Sequence, residues 1–380
     1  MDTTLKGSLA EDRVVVAMSG GVDSCATALM LVEQGHSIVG VAMQVWDYRK
    51  NGGNATRATC CAPSDFDDAR EIADSRGFPF YVFDFEDSFY DAVIQPFINS
   101  YLEGKTPNPC LDCNRKVKFA QLRARALALG ATKVATGHYA QIRQKSDGSY
   151  GLYTSVDRAK DQSYFLYALE QADLANTYFP VGGMTKPEVR AYLEQHGFRV
   201  AQKAESQDIC FVSSTVGEFI EKETGSRPPV GRFVSTEGAT VGEHQGVHHF
   251  TVGQRRGLGL SDRFPLYVLD IDPVQNEVTV GPKEALERAF FSVGEVNWIS
   301  GVVPGQPFRS RVKLRYRHDG ILCEVHPTPE GSAEVRFLEG WTAVSPGQAA
   351  VFYREHDETD GAVEVIGGGR ILKEPHGSGR

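Results

Sequence analysis

The stretch "VVVAMSGGVDSCATALML", residues 14–31, predicts a strand, a glycine turn and a helix in succession. The β-branched run from Val14 to Val16 predicts a buried strand, and the apolar spacing after Ser24 predicts a helix. A Gly-Gly pair forms the turn between the two. Such a turn aims backbone N–H groups and a helix N-terminus at one spot, which suits a phosphate group. The alternative is a tight turn that only begins a helix, capped by Asp23 or Ser24.

Strands and helices continue to alternate after this unit. Near-continuous apolar runs predict further strands at residues 37–46, 79–85 and 132–140. Helical patterns occupy residues 24–35, 63–77, 114–130 and 185–198. Apolar runs of this kind are typical of parallel strands that are buried on both faces. We therefore predict a doubly wound α/β fold with a mainly parallel sheet, whose ligand crevice lies at the carboxyl ends of the strands.

The composition changes after Phe211 to glycine-rich turns and short strands. A hairpin is predicted around Pro273 to Asn276, and evenly spaced short strands follow from about residue 287, which predicts a small β-barrel or sandwich. We divide the chain into a catalytic α/β domain at 1–213, a small central domain at 214–286 and a C-terminal β-barrel domain at 287–380.

Composition limits the possible classes of protein. The chain has 380 residues, a net charge of −9 and 7 cysteines. An odd number of cysteines argues against a secreted disulfide framework, no apolar run reaches bilayer-spanning length, and the N-terminus lacks a signal-peptide pattern. We expect a cytoplasmic protein with no membrane partner. Because the chain is acidic, contact with nucleic acid requires a local basic patch.

The loop "SGGVDS" lacks the Gly-Lys-Ser/Thr ending of the P-loop motif. It resembles the pyrophosphate loop of the N-type ATP pyrophosphatases, which adenylate an oxygen and release pyrophosphate. The resemblance implies an adenine nucleotide alpha hydrolase-like fold that uses ATP and Mg²⁺. Asp23 would help to place the metal, and Met43 would lie against adenine. The implied nucleotide-binding residues are Ala17, Met18, Ser19, Gly20, Gly21, Val22, Asp23, Ser24, Met43 and Gly137.

The cysteines raise a separate question. The C-x-x-C spacing of Cys110 and Cys113 is compatible with zinc, redox chemistry or chance, and the sequence has no second pair to complete a zinc site. The prolines of "TPNP" disfavour helix, so we expect both cysteines on a rigid loop that opens the next helix. Cys210, in "SQDICF", suits a buried cysteine as well as a functional one. Cys60 and Cys61 have no assigned role.

Ordered motifs along nearly the whole chain resemble the tRNA-specific 2-thiouridylases, which place sulfur on C2 of the wobble uridine of certain tRNAs. The motifs are "SGGVDS", "TPNPCLDCNRKVKF", "ATGHYA", "AKDQSYFL", "SQDICF", "HHFTVGQRRGLGL" and "LRYRHDG". The resemblance implies adenylation of uracil O2 with release of pyrophosphate, then sulfur transfer to C2 with release of AMP. Cys210 would carry the sulfur as a persulfide, and Cys113 would form a disulfide with Cys210 when the sulfur is released.

This resemblance also implies partners. They are tRNA, bound at its anticodon loop, and a sulfur donor, either a cysteine desulfurase or a sulfur-relay protein; we expect the chain itself to be a monomer. Cys110 departs from the best-described members, which have an aspartate at its position. Cys110, Cys113 and Cys210 could therefore ligate a 4Fe–4S cluster with one iron open to sulfide. The persulfide and cluster routes both remain open.

In "RSRVKLRYRHD" the basic residues fall on every second position from Arg309 to Arg317. On a strand they share one face, so we predict a cationic ridge with Val312, Leu314 and Tyr316 buried behind it. A solvated face balanced by acidic neighbours is the alternative. By resemblance, the residues that contact tRNA are Asn108, Pro109, Cys110, His138, Lys160, Asp161, Gln162, Arg315, Tyr316 and Gln348.

Two rival functions share part of this pattern. Another ATP pyrophosphatase, such as an amide-forming or argininosuccinate-type synthetase, needs no paired thiols and predicts activity that survives serine at Cys113 or Cys210. A zinc-bearing RNA-binding protein would use Cys110 and Cys113 structurally. It predicts stoichiometric zinc and indifference to loss of the Asp23 carboxylate.

Overall fold

A computed structural model describes residues 13–46, 63–204, 209–260, 264–340, 343–356 and 360–374. Cys60 and Cys61 lie outside these ranges. The helices are α1 (Val22–Glu33), α2 (Pro63–Arg76), α3 (Glu86–Phe89), α4 (Gln95–Leu102), α5 (Pro109–Asp112), α6 (Ala120–Ala128), α7 (Gln171–Leu174), α8 (Lys186–Gln195) and α9 (Val216–Thr224). Within the described ranges, the helices are too short or too polar to cross a membrane.

The strands follow the same order along the chain. They are β1 (Arg13–Ala17), β2 (Ser37–Gln44), β3 (Phe80–Asp84), β4 (Lys133–Thr136), β5 (Ala140–Gln144), β6 (Tyr150–Thr154), β7 (Thr177–Tyr178), β8 (Gly231–Val234), β9 (Thr240–His244), β10 (Tyr267–Asp272), β11 (Glu277–Gly281), β12 (Phe290–Trp298), β13 (Phe308–Lys313), β14 (Ile321–Pro327), β15 (Ala333–Phe337), β16 (Ala349–Tyr353) and β17 (Glu364–Ile371).

The first sheet is parallel, in the order β3-β2-β1-β4-β7. Successive residues of β1 point to opposite faces, as they must on a strand. Val14 and Val16 pack in the cluster that contains Leu29 of α1, whereas Val15 packs with Leu122 of α6. Because both faces are covered by helices, the strand is apolar throughout. The predicted doubly wound α/β fold is confirmed.

Most predicted elements of this first unit are present, with two differences. The strand expected at 132–140 ends at Thr136, because Gly137 and His138 turn the chain before β5 begins. A helical segment that the sequence analysis did not identify runs from α3 through a π-helical turn, Tyr90–Ile94, into α4. Pro96 makes this segment look broken in the sequence, but it lies just after the π-helical turn, where the regular α-helical hydrogen-bond pattern is already interrupted.

The C-terminal strands close into a barrel. β12 pairs with both β15 and β17, and the ring continues through β14, β13 and β16. Its interior is filled by side chains such as Val293, Val312, Val325 and Phe352. The barrel prediction is confirmed. In the central domain, β10 and β11 form the hairpin predicted around residues 273–276, and β8 and β9 complete the sheet.

A hairpin from the N-terminal part of the chain extends the barrel sheet. β5 pairs with β6, and β6 pairs with β17. Ala140 and Leu152 of the hairpin pack with Val351 and Val365 of the barrel in one cluster. The proposed boundaries at 1–213, 214–286 and 287–380 follow the order of the chain, but this sheet crosses between the first and third of these segments.

Gly182 offers a test of the contact beside this hairpin. A Cβ at Gly182 would lie 1.7 Å from the Ala140 carbonyl oxygen, whereas one at Gly183 would meet no atom within 4 Å. Forcing atoms into a packed site costs about 1–3 kcal/mol or more. We expect Gly182→Ala to lower the free energy of unfolding by at least that amount in urea titrations, and Gly183→Ala to change it by less than about 0.5 kcal/mol. Equal stabilities of the two variants would contradict this packing.

Candidate functional site

The glycine turn between β1 and α1 is shaped by its own hydroxyl groups. Ser24 Oγ accepts a hydrogen bond from the Ser19 N–H at 3.2 Å and donates one to the Gly21 carbonyl at 3.1 Å. Gly21 is the N-cap of α1, and no described side chain caps this end of the helix. The N–H groups of the first helical turn are therefore suited to hold an anion such as a phosphate.

Gly20 allows a second segment to approach the turn. Its φ is +70°, and a Cβ there would lie 1.7 Å from the Asp65 carbonyl oxygen. Lys203 closes the same corner, because its Nζ donates to the Gly20 carbonyl at 3.0 Å and pairs with the Asp65 carboxylate at 2.6 Å. Only glycine fits this position, and the start of α2 fixes the shape of the loop.

Asp23 is held from two sides. Its Oδ1 accepts hydrogen bonds from the Tyr139 hydroxyl at 2.8 Å and from Lys186 Nζ at 2.7 Å. The approach of this segment depends on Gly137, since a Cβ there would lie 2.6 Å from the Asp23 backbone carbonyl carbon. The Asp23 side chain remains 30% exposed, so its carboxylate also fits a Mg²⁺ ion.

Ala17, Met18 and Met43, which are also predicted to bind the nucleotide, lie at or near the carboxyl ends of β1 and β2. Ala17 ends β1, and Met43 lies near the end of the neighbouring β2. Met18 follows β1, and its N–H donates to the Val41 carbonyl at 2.8 Å. Because the Met18 side chain is buried in the core beneath the loop, only its backbone can meet a ligand. Contact of these residues with ATP stays a prediction.

The helix that carries Cys110 and Cys113 begins earlier than the sequence analysis expected. Asn108 is its N-cap and accepts a hydrogen bond from the Cys110 N–H at 3.1 Å, and Pro109 takes the first helical position. The expectation of a loop was wrong because proline at this position has the φ angle of a helix and loses no hydrogen bond. A π-helical turn, Cys113–Phe119, then leads into α6.

Cys113 and Cys210 pack against one cluster of buried residues, which we call the thiol cluster. The buried members of this cluster are Val45, Trp46, Phe85, Phe89, Val93, Ile94, Phe97, Ile98, Tyr101, Val117, Phe211, Phe219 and Ile220. Both cysteines are half-buried, and Met43 packs against the same cluster. Folding therefore places both thiols against one apolar cluster, although they are far apart in the sequence.

The thiol cluster lies at the carboxyl edge of the parallel sheet. Trp46 comes shortly after β2, and Phe85 directly follows β3. The glycine turn follows β1 at the same edge, as parallel strands require. Cys110 is exposed and precedes Cys113 by three residues on one helix, so their side chains share a face. The glycine turn and the cluster against which the thiols pack thus lie at the same edge of the sheet.

The barrel anchors the segment that carries these cysteines. Arg370 of β17 donates to both carboxylate oxygens of Asp112 at 2.7 Å, and Asp112 is buried. Gln348, which precedes β16, donates from Nε2 to the Thr106 carbonyl at 2.9 Å. The barrel therefore holds both ends of the stretch from Thr106 to Asp112.

Two segments predicted to bind tRNA meet in the structure. The ring of Tyr316 lies 4.6 Å from that of Phe165, measured between centroids. Lys313 Nζ lies 4.0 Å from the Asp161 carboxylate and 5.0 Å from the centre of the Tyr353 ring. The "AKDQSYFL" and "LRYRHDG" motifs thus form one continuous surface.

The predicted cationic ridge differs from the structure. Arg309 and Arg311 are exposed on β13, but this strand ends at Lys313. Arg315 and Arg317 are exposed beyond it, in a bend. The prediction that a single strand face carries all of these cations was wrong, because the chain turns after Lys313 and packs Tyr316 against Phe165. Val312 and Leu314 are buried, as predicted.

His138 and Asp161 are buried beneath this surface. His138 Nδ1 lies 2.6 Å from Thr136 Oγ1, and burial holds the pKa of the imidazole well below its usual value, so the ring is neutral. Asp161 accepts hydrogen bonds from the Ser155 N–H at 3.0 Å and the Ser163 hydroxyl at 2.8 Å. Both side chains support the local backbone here, and the tRNA contacts assigned to them stay predictions.

Sequence reasoning missed Lys186, Lys203 and Arg370. Lys186 follows Thr185, whose capping box begins α8, but this signal says only where the helix starts. Arg370 ends the run "GGGR", which contains no signal for a buried ion pair. These cations reach Asp23, the Gly20 loop and Asp112 only through tertiary contacts, and no local sequence pattern predicts such contacts.

Family models match three successive parts of the chain. They are described as "tRNA methyl transferase HUP domain" at residues 12–214, "tRNA methyl transferase PRC-barrel domain" at 217–282 and "Aminomethyltransferase beta-barrel domain" at 288–371. The first of these models alone spans more than half of the chain.

Among solved structures, an NMN synthetase from Francisella tularensis matches with a TM-score of 0.32 and 14% identity, over 58% of this chain and 79% of that one. A score of this size carries no argument about fold or function.

Curated relatives match over nearly their whole length. The tRNA-specific 2-thiouridylase MnmA of Geotalea uraniireducens is 48% identical, with 94% of each chain covered. The protein of the same name from Geobacter metallireducens is 46% identical, over 95% of this chain and 97% of its own. That from Magnetococcus marinus is 44% identical, over 95% and 99%. At this identity and coverage, the chain belongs to the family of tRNA-specific 2-thiouridylases.

Proposed function

We propose that this chain converts the wobble uridine of tRNA to 2-thiouridine, with cleavage of ATP to AMP and pyrophosphate. Family membership supports the coarser statement, which is 2-thiolation of a tRNA uridine by an enzyme of the ATP pyrophosphatase type. The observation that carries the finer proposal is the packing of Cys113 and Cys210 against one cluster, at the sheet edge that also bears the glycine turn.

The first step activates the uracil carbonyl, whose oxygen is a poor leaving group. Uracil O2 attacks the α-phosphorus of ATP, and the bond from that phosphorus to the bridging oxygen of pyrophosphate breaks. The N-terminus of α1 would hold the leaving pyrophosphate together with Ser19 and Ser24. Asp23 would place Mg²⁺, and Lys186, which pairs with Asp23, would offset the negative charge of the phosphates.

The second step delivers sulfur. A donor first charges Cys210 as a persulfide, and the terminal sulfur attacks C2, so that AMP leaves with the electrons of the C2–O bond. The Cys113 thiolate then attacks the Cys210 sulfur and breaks the S–S bond, which leaves the outer sulfur on C2 and forms a Cys113–Cys210 disulfide. Thiols of the donor system must reduce this disulfide before the next turnover.

The exposed thiol at Cys110 favours a second route. Cys110 and Cys113 share a helix face, and Cys210 packs against the same cluster as Cys113, so the three fit the ligand set of a 4Fe–4S cluster. Bound there, the cluster would supply an iron with an open position for sulfide. In both routes, the apolar residues around the thiols would limit water at the reacting carbon.

The anticodon loop would bind across the barrel and the segments that it holds. Lys160, Gln162, Arg315 and Tyr316 would contact the backbone and loop bases, with Arg309 and Arg311 as additional cations. The target base leaves the anticodon stack, as bases of single-stranded RNA do, and reaches Asn108, Pro109 and Cys110 at the start of α5. The reaction would take place in the cytoplasm on a monomer charged by a cysteine desulfurase or a sulfur-relay protein.

Replacement of either paired thiol tests the proposal. With ATP, tRNA and a sulfur donor, we expect the wild-type chain to form AMP, pyrophosphate and 2-thiouridine. Cys113→Ser and Cys210→Ser should lower 2-thiouridine at least about 1,000-fold, because each removes a group that bonds to sulfur. Mass spectrometry of digested tRNA measures the product and distinguishes sulfur in place of oxygen from an added methyl group.

Cys323→Ala, in the barrel interior, is the matched thiol control and should retain activity. The thiol variants should still release pyrophosphate in a first, tRNA-dependent turnover, because adenylation needs no thiol. A wild-type chain that makes no 2-thiouridine would refute the proposed reaction and favour an amide-forming pyrophosphatase. Thiol variants with full activity would refute the roles given to Cys113 and Cys210.

The RNA surface can be tested by salt dependence. We expect Arg315→Ala to weaken tRNA binding and to reduce the slope of log affinity against log salt by about 0.7–0.9, the value for one lost phosphate contact. Arg336→Ala is the matched control, because Arg336 is also exposed on the barrel and lies outside the motifs assigned to tRNA. Filter binding across a salt series measures both. Equal slopes for the two variants would exclude Arg315 from the interface.

Iron content distinguishes the two sulfur routes. On the persulfide route, we expect the chain purified without oxygen to lack stoichiometric iron and Cys110→Asp to thiolate tRNA within about tenfold of wild type, since the persulfide and its partner thiol are untouched. Metal analysis and visible absorption measure this. Iron and absorption in the wild type, lost together with activity in Cys110→Asp, would instead establish the cluster route.

A further inference from the structure

A second cluster of potential ligands lies in the central domain. Glu221 belongs to α9, and His248 and His249 end a short 3₁₀ turn, Val247–His249. One donor atom from each of these three residues lies within 4.8 Å of the other two. Neither the nucleotide-binding turn nor the paired thiols use any of them, and the "HHFTVGQRRGLGL" motif has no assigned chemistry in the reaction described above.

The donor atoms converge on one carboxylate oxygen. Glu221 Oε1 lies 3.3 Å from His249 Nε2 and 3.6 Å from His248 Nε2. Ligands of a tetrahedral zinc ion, with bonds of about 2.1 Å, are about 3.4 Å apart. The other carboxylate oxygen, Oε2, pairs with the exposed Arg227 at 2.9 Å, so the oxygen that faces the imidazoles is a different one.

The two ring nitrogens of His248 are unsatisfied within the described part of the chain. The side chain is fully buried, and neither Nδ1 nor Nε2 has a hydrogen-bond partner among the described residues. A buried polar atom without a partner is costly, and native proteins rarely keep one without a bound ligand, ion or water. The Nε2 that lacks a partner is the atom nearest to Glu221 Oε1.

Two glycines make room for the imidazole rings. A Cβ at Gly217 would lie 2.0 Å from His249 Nδ1, and a Cβ at Gly246 would lie 2.5 Å from a ring carbon of His248. Both rings are therefore held against backbone, with their Nε2 atoms directed toward the carboxylate. The packing of both rings therefore fixes the positions of the potential metal-ligand atoms.

We propose that Glu221, His248 and His249 form a binding site for a zinc-class divalent cation. Two imidazole nitrogens and one carboxylate oxygen suit Zn²⁺ or Co²⁺, whereas Mg²⁺ and Ca²⁺ prefer ligand sets made of oxygen. The side chain of His249 is 26% exposed, which gives an ion access from solvent and leaves a position for water.

Through α9, the ion would connect this site to the cluster against which Cys113 and Cys210 pack. Phe219 and Ile220, which precede Glu221, are members of the thiol cluster that holds Cys113 and Cys210. A metal that joins Glu221 to the Val247–His249 turn would fix α9 against that cluster. Its role is structural, and it is separate from the iron–sulfur alternative, which would use the cysteine thiols.

Cobalt titration of the full-length chain tests the site, because the visible spectrum of Co²⁺ separates nitrogen and oxygen ligands from thiolates. A Cys113→Ser/Cys210→Ser variant is titrated in parallel to remove the paired thiols. We expect one equivalent of Co²⁺ to bind in both proteins, without a sulfur-to-cobalt charge-transfer band in the thiol variant. His249→Gln and Glu221→Gln should each weaken this binding at least about 100-fold, since even second-shell changes cost about 10- to 100-fold.

His196→Gln is the matched control. His196 also pairs with a glutamate, Glu33 at 2.7 Å, but has no third donor beside it among the described residues, so its loss should leave cobalt binding unchanged. Zn²⁺ should also raise the thermal midpoint of the wild type and not that of His249→Gln. Circular dichroism checks that each variant is folded.

The proposal is overturned if the thiol variant binds no Co²⁺, or if His249→Gln and Glu221→Gln both bind it as the wild type does. In either case the three side chains lie close together without holding a metal. Because the test reads metal binding and not thiolation, a failure here leaves the proposed reaction untouched, and loss of 2-thiouridine synthesis would not remove the metal site.

Discussion

The buried ion pair between Asp112 and Arg370 supports the arrangement on which the rest of the site depends. Asp112 stands between Cys110 and Cys113, and Arg370 lies on β17, the strand that closes the barrel and also pairs with β6. Arg370 donates to both oxygens of the buried Asp112 carboxylate, whose Oδ1 also lies 3.0 Å from Lys116 Nζ. The pair therefore couples the position of the thiol-bearing helix to the barrel, and through the barrel to the hairpin that the α/β unit contributes.

The thiol cluster explains why the cysteines are half-buried rather than exposed. Cys113 and Cys210 pack against a cluster that contains Phe97 and Phe211, whose rings pack edge to face at 5.3 Å between centroids. In the proposed reaction, these apolar surroundings would exclude water, which would otherwise compete with sulfur for the activated carbon. Met43, near the end of β2, packs against the same cluster.

An acidic chain can still offer RNA a basic surface if its cations are concentrated by folding. Lys160 and Arg315 lie far apart in the sequence, and the contact between Phe165 and Tyr316 brings their segments together. Asp161 is buried beneath this surface, where it accepts hydrogen bonds from Ser155 and Ser163 and lies 4.0 Å from Lys313. Its carboxylate therefore organises the local structure from beneath the surface.

The sequence by itself determined the strand–turn–helix unit at residues 14–31, the alternating α/β pattern, the C-terminal barrel and the family, because these depend on local periodicity and on motifs of fixed spacing. It misjudged the start of the helix at Pro109, since the same proline restricts the residue before it and favours a helix after it. It also could not show that Lys186 meets Asp23, that Arg370 meets Asp112, or that His248 faces Glu221 without a hydrogen-bond partner. These contacts join residues that only tertiary packing brings together, and no periodicity along the chain records which distant partner a buried charge or imidazole will find.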